Sequence, residues 1–161
     1  MKVYEVLTDT KKALAMLESD LCDDMDNFRI IYIAALSLLR AAGHVLHKVD
    51  CDGNPILKKA VADHWNRLKA HSESNQIFFE FIEKERNHVL KEYEIGFDDT
   101  DWEVVYPDGD DYSTYNLGEL YRPLKDGAFD GADCRNLINE GIAWWEEQLA
   151  EIVSLISQVP Q

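Results

Sequence analysis

DNFRIIYIAALSLLRAAGHVLHKV, residues 26–49, repeats its apolar side chains every three or four positions. Phe28, Ile31, Tyr32, Ala35, Leu38, Leu39, Ala42, Val45, Leu46 and Val49 fall on one continuous stripe at helical spacing. A stripe this long predicts a helix laid against other helices rather than a strand. Asp20, Asp23, Asp24 and Asp26 come just before it, and carboxylates suit the positive end of a helix dipole. Cys51-Asp52-Gly53-Asn54-Pro55 ends it with turn chemistry.

The flanking segments supply the partners. Thr8 to Cys22 reads as a helix with Leu14, Leu17 and Leu21 inward, Thr8 or Thr10 serving as the cap. Pro55 to Ala70 reads as another, with Pro55 in the first turn and Leu57, Val61, Trp65 and Leu68 inward. Ser72-Glu73-Ser74-Asn75 breaks the chain. A further helix then runs to Glu94 on Phe78, Phe81, Ile82, Val89, Leu90 and Tyr93. The last helix, Ala132 to Ser157, turns Leu137, Ile138, Ile142, Trp145, Leu149, Ile152 and Ile156 inward. The expected fold is all-α, an up-and-down bundle of four to five helices in one domain covering residues 1–161.

Residues 97–131 interrupt this pattern. They are rich in Gly, Pro, Asp and Tyr, and form an acidic irregular insertion before the last helix. Trp102 to Tyr106 and Tyr112 to Leu117, joined through Pro107-Asp108-Gly109-Asp110-Asp111, have the pattern of a short hairpin. A connection of this length in a compact domain usually carries function.

Charge narrows the function classes. The chain has a formal net charge of −15, which opposes approach to nucleic acid and to anionic membranes. Between Phe97 and Asp133, eleven acids stand against Arg122 and Lys125. The exception is Pro55 to His71, where Lys58, Lys59, Arg67 and Lys69 face Asp63 alone. Those four cations are the candidate nucleic-acid face. Cys22, Cys51 and Cys134 are odd in number and widely spaced, which fits reduced thiols and a cytoplasmic setting. The N-terminal residues lack the apolar core of a signal peptide, so no membrane association is expected.

Metal and cofactor motifs are sparse. Glu85-Arg86-Asn87-His88 has the ExxH spacing of di-iron bundles, which need two such motifs and two further glutamates; only one occurs. Asp108-Gly109-Asp110-Asp111 does not continue into an EF-hand loop. No metal and no cofactor is expected.

Arg86 is the side chain that helix periodicity leaves unexplained, since it falls on the stripe of Ile82, Val89 and Tyr93. A cation there needs an acid, a carbonyl, an interface or a phosphate. Here the chain resembles the HEPN superfamily of small helical-bundle proteins. Their signature is an arginine, often followed by asparagine, then after four intervening residues a histidine, and commonly a tyrosine two further on. The positions that match are Arg86, Asn87, Lys91 and Tyr93, on a helix opened by the aromatic run Phe78-Phe79-Glu80-Phe81. The likeness covers about residues 8–94 and the last helix, with the acidic segment as an insertion.

The resemblance implies a homodimer in which two motif helices meet at a cleft, and in active members metal-independent RNA cleavage by the arginine and histidine. Lys91 stands in the histidine position. A histidine of pKa about 6.5 is largely neutral at pH 7, whereas an unperturbed lysine is neutral only about 0.04% of the time. Turning it into a base needs a shift of roughly three units, about 4–5 kcal/mol. The expected function is therefore non-catalytic. Arg86, Asn87, Lys91 and Tyr93 would form a polar site for a nucleotide, RNA or a partner protein, in a bacterial defence or toxin–antitoxin setting. The alternatives are a metal-independent ribonuclease using Arg86 with Lys91 or His88, and an acidic interaction module whose segment from Phe97 to Asp133 imitates nucleic acid or docks on a basic partner.

Overall fold

The structure is a computed structural model that describes residues 1–100, 102–117 and 120–157. The chain is mostly helical. Its elements are α1 (Val3–Leu17), α2 (Met25–Val45), α3 (Pro55–Ala70), α4 (Lys84–Glu92), β1 (Glu103–Asp108), β2 (Asp111–Asn116) and α5 (Cys134–Ser157). Two π-helical stretches adjoin them: Leu46–Asp50 prolongs α2, and Ile77–Glu83 leads into α4. The strands correct the all-α expectation. They pair antiparallel, Glu103 opposite Asn116 through Asp108 opposite Asp111.

Local chemistry explains the helix starts. The Asp24 carboxylate accepts from the backbone N–H groups of Asp26 and Asn27 at 2.9 and 3.0 Å, satisfying donors that the first turn of α2 leaves free. Asn54 does the same for Leu57 at 3.0 Å, with Pro55 opening α3. At the start of α1 the cap comes from a distant residue. Asp50 accepts from Lys2 N–H at 2.5 Å and from Val3 N–H at 3.0 Å. That explains why the first helix begins at Val3, five residues before Thr8. Asp133 accepts from the N–H groups of Arg122 and Arg135, both at 2.9 Å, tying the insertion to the start of α5.

The core is one cluster built on α2. Tyr32, Ala35, Leu36, Leu39 and Ala42 are buried there against Phe78, Phe81 and Ile82 and against Leu137, Ile138, Trp145 and Leu149 of α5. Trp145 donates its indole N–H to the Leu39 carbonyl at 2.9 Å, so a polar tip in the core is satisfied. By length and composition α2 with its π-helical extension is able to cross a membrane; in the fold its apolar stripe faces the other helices.

Several inward assignments change. Leu36 is buried although it lies outside the sequence stripe, while Leu21, Val49, Leu90 and Tyr93 are exposed. Leu21 follows the end of α1, in a separate 3₁₀ turn at Asp20–Cys22. Val49 sits in the π-helical extension, whose wider turn rotates it out of phase. Leu90 lies beside the buried stripe of Ile82, Glu85 and Val89 rather than on it. Tyr93 leaves α4 in the left-handed region, φ 55°, and is 74% exposed. The cysteines are free and buried.

Candidate functional site

The helical stretch from Ile77 to Glu92 places the residues singled out by the sequence. On its inner side Phe78, Phe81, Ile82, Glu85 and Val89 are buried. The polar residue on the core stripe is thus Glu85, and Arg86 lies half-buried at its edge. The Glu85 carboxylate accepts from the Tyr32 hydroxyl at 3.3 Å and from Gly96 N–H at 2.9 Å. Burial raises its proton affinity above that of an ordinary glutamate, with these two hydrogen bonds opposing the rise. A β-carbon on Gly96 would lie 2.5 Å from both carboxylate oxygens, so glycine is what lets the backbone come this close.

Arg86 donates to the Asn87 side-chain oxygen at 2.9 Å, and its buried Nε has no hydrogen-bond partner. Its charge lies close enough to His44 on α2 to lower that imidazole's proton affinity, after burial and Arg40. Asn87, His88 and Lys91 face a different space, an open groove of about 580 Å³ between α4 and the loop from Leu124 to Phe129. Arg86 is not among its walls. A helix turns 100° per residue, so positions 86 and 91 point about 140° apart. One copy of the chain therefore does not bring Arg86 and Lys91 to one cleft, and Tyr93 lies outside the groove as well.

The groove's electrostatics are acidic. Glu80, Glu83, Glu85, Glu92 and Asp126 line it alongside Lys84 and Lys91, and Lys84 already pairs with Glu80 at 3.4 Å. A phosphate entering beside Lys91 would meet more carboxylates than cations. A basic side chain would meet the reverse.

His88 has its own partners. Its Nε2 lies 3.2 Å from Glu92 Oε2 and 3.4 Å from Glu94 Oε2. These three side chains are the ones, among the described residues, whose ligand atoms lie close enough to hold a metal ion together, within 4.8 Å of one another. The group does not have the paired ExxH spacing by which a bundle metal site is legible in sequence. His88 and Glu92 are a plain i, i+4 pair, but Glu94 reaches them only because the chain turns back at Tyr93.

On α3, Lys58, Lys59, Arg67 and Lys69 are all exposed. Helix geometry puts Lys58 and Lys69 on one side and Arg67 on the opposite one, where its Nη2 lies 3.0 Å from His64 Nδ1.

The acidic insertion forms a two-stranded ribbon. Every residue of β1 is exposed, and of β2 only Ser113 is half-buried. Val105 is 62% and Tyr112 73% exposed. Gly109, φ 65°, opens the two-residue turn, where Asp108 accepts from the Ser113 hydroxyl at 2.8 Å. At the base, Leu117 N–H donates to the Trp102 carbonyl, and Trp102 meets Tyr121 edge-to-face at 5.6 Å between centroids.

Comparison with protein-family models, curated proteins and solved structures finds no match to this chain.

Proposed function

We propose that this chain is a non-catalytic binding protein, HEPN-like in its helical part. It docks on the positively charged surface of another protein through the hairpin Glu103–Asn116. The observation that carries the reading is the hairpin's exposure on both faces. A two-stranded ribbon is marginal in water by itself and leaves unpaired edges. This one displays Val104, Val105, Tyr106, Tyr112 and Tyr115 among Glu103, Asp108, Asp110 and Asp111. Rigid aromatic side chains are the usual anchors of an interface, and fixed carboxylates steer a cationic partner towards it.

The partner class follows from the charge: a lysine- or arginine-rich face of the sort that binds nucleic acid, as on a toxin or defence effector. The polar helix supports binding over catalysis, because Arg86 donates to Asn87 and does not line the groove where Lys91 lies among carboxylates.

The test places a photo-crosslinking residue at Tyr112, with Tyr4 on α1 as the control, in cells that make the protein. A basic protein should be captured from position 112 alone. After purification it should bind wild type, lose about tenfold or more in affinity to a variant with Tyr112→Ala and Asp108, Asp110 and Asp111 changed to Asn, and bind Arg86→Ala unchanged. Equal capture from both positions, or unchanged binding by the hairpin variant, overturns the docking surface. RNA cleavage in chelator by wild type that disappears in Arg86→Ala overturns the non-catalytic reading.

A further inference from the structure

One cavity departs from the charge of the rest of the molecule. It lies where the end of α2 meets α3 and α5 and has a volume of about 330 Å³. That is within the usual range of small-ligand sites, which are mostly apolar with a few polar groups. Trp65, Trp145, Leu46 and Ile152 supply apolar wall, and Arg40, His44 and His47 stand beside them. No aspartate or glutamate lines it, in a chain of net charge −15.

Arg40 and His64 at this cavity are held in place. Arg40 lies 5.6 Å above the Phe78 ring and 3.2 Å from Glu83. His64, 3% exposed, is fixed between Gln148 at 3.0 Å and Arg67 at 3.0 Å. The nearest carboxylates are Glu83 on Arg40 and Glu151, 3.7 Å from His64 Nδ1, and both stand outside the walls. After burial, the groups that depress the His44 proton affinity are all cationic or imidazole: Arg40, Arg86, Lys48 and His47. Cations thus gather about His44 in a chain whose net charge is −15.

We infer that the cavity between α2, α3 and α5 is a binding site for a small planar aromatic anion, an aryl carboxylate about two fused rings across. The rings would lie against Trp65 and Trp145, and the carboxylate would face Arg40, His44 and His47. Aromatic walls suit a flat apolar body, and imidazole and guanidinium N–H groups suit a carboxylate. The site is separate from the hairpin and does not depend on the partner reading.

Calorimetric titration of the full chain with 2-naphthoate, 2-naphthamide and 2-naphthylmethylammonium tests it. The three probes share the ring system and differ in charge. Wild type should bind one naphthoate saturably, the amide more weakly and the cation at least tenfold more weakly. Ala62→Trp, on the exposed lip of α3, should abolish naphthoate binding while helical circular dichroism is retained. His47→Glu, a change at an exposed position, should weaken naphthoate about fivefold or more and leave the amide within twofold. The inference fails if folded wild type shows no saturable naphthoate binding up to millimolar concentration. It fails equally if the amide or cation binds as tightly as the anion, or if naphthoate affinity is unmoved by both substitutions.

Discussion

Glu85 shows how a single side chain can be placed by residues far along the chain. Helical period alone sets positions 85 and 86 on opposite flanks of the Ile82–Val89 stripe, and nothing within the local sequence chooses between an acid and an arginine for the inner side. The choice is made by the Tyr32 hydroxyl on α2 and the Gly96 N–H beyond α4, both aimed at a carboxylate. Arg86 was legible as a misplaced cation, whereas the acid that occupies the core was not. Burial makes the folded chain bind a proton at Glu85 more tightly than the unfolded chain does. In the interval above the ordinary glutamate value folding takes up a proton there, so stability from this group is complete at low pH and is lost as pH rises through the interval. Glu85→Gln removes that term. Urea unfolding of both proteins at about pH 4 and pH 7 should show the stability difference moving in favour of the glutamine variant at the higher pH. A difference that stays constant with pH would rule out an ionisation cost at this residue.

Among the elements, α2 and α3 could be read because cap and stripe coincide, Asp24 before Phe28 and Asn54-Pro55 before Leu57, whereas α5 could be read from its stripe alone. The π-helical stretches could not, since the wider turn inserts a residue without any marker in composition. The hairpin was legible from its Asp-Gly turn and β-rich flanks, but its surroundings were not. Neither strand alternates cleanly between apolar and polar, and both faces are open to solvent. An element that contributes little to the core should be removable. Trp102 and Leu117 are already joined across its base by a hydrogen bond of 2.6 Å, so residues 103–116 can be replaced by two glycines. The shortened chain should keep its helical circular dichroism and unfold within about 4 °C of the parent, a change of no more than about 1 kcal/mol for a domain of this size. Binding of the basic partner should vanish. A loss of more than 10 °C would mean that the ribbon braces the helical body, and would remove the argument that it exists for docking.

For the whole molecule, 31 acids against 16 lysines and arginines leave a formal excess of fifteen negative charges. Several of the ion pairs that form, such as Lys11 with Glu146 at 2.5 Å and Lys12 with Asp9 at 2.9 Å, are solvent-exposed, and exposed pairs contribute about 0–1 kcal/mol each. Repulsion among the excess negative charges acts over longer distances and opposes the compact state. Salt weakens both effects, but the repulsion involves many more pairs of charges. Screening shortens from roughly 30 Å at 0.01 M ionic strength to about 10 Å at 0.1 M. Raising sodium chloride over that range and on to about 0.5 M should therefore stabilise the chain by about 1–2 kcal/mol, seen as a rise of roughly 3–8 °C in the unfolding midpoint. A falling midpoint would show that the paired charges outweigh the repulsion. The same salt should weaken capture of a basic partner at the hairpin, because that association draws on the long-range field. Stability and partner binding should thus move in opposite directions in one titration, separating the cost of the acidic surface from its use.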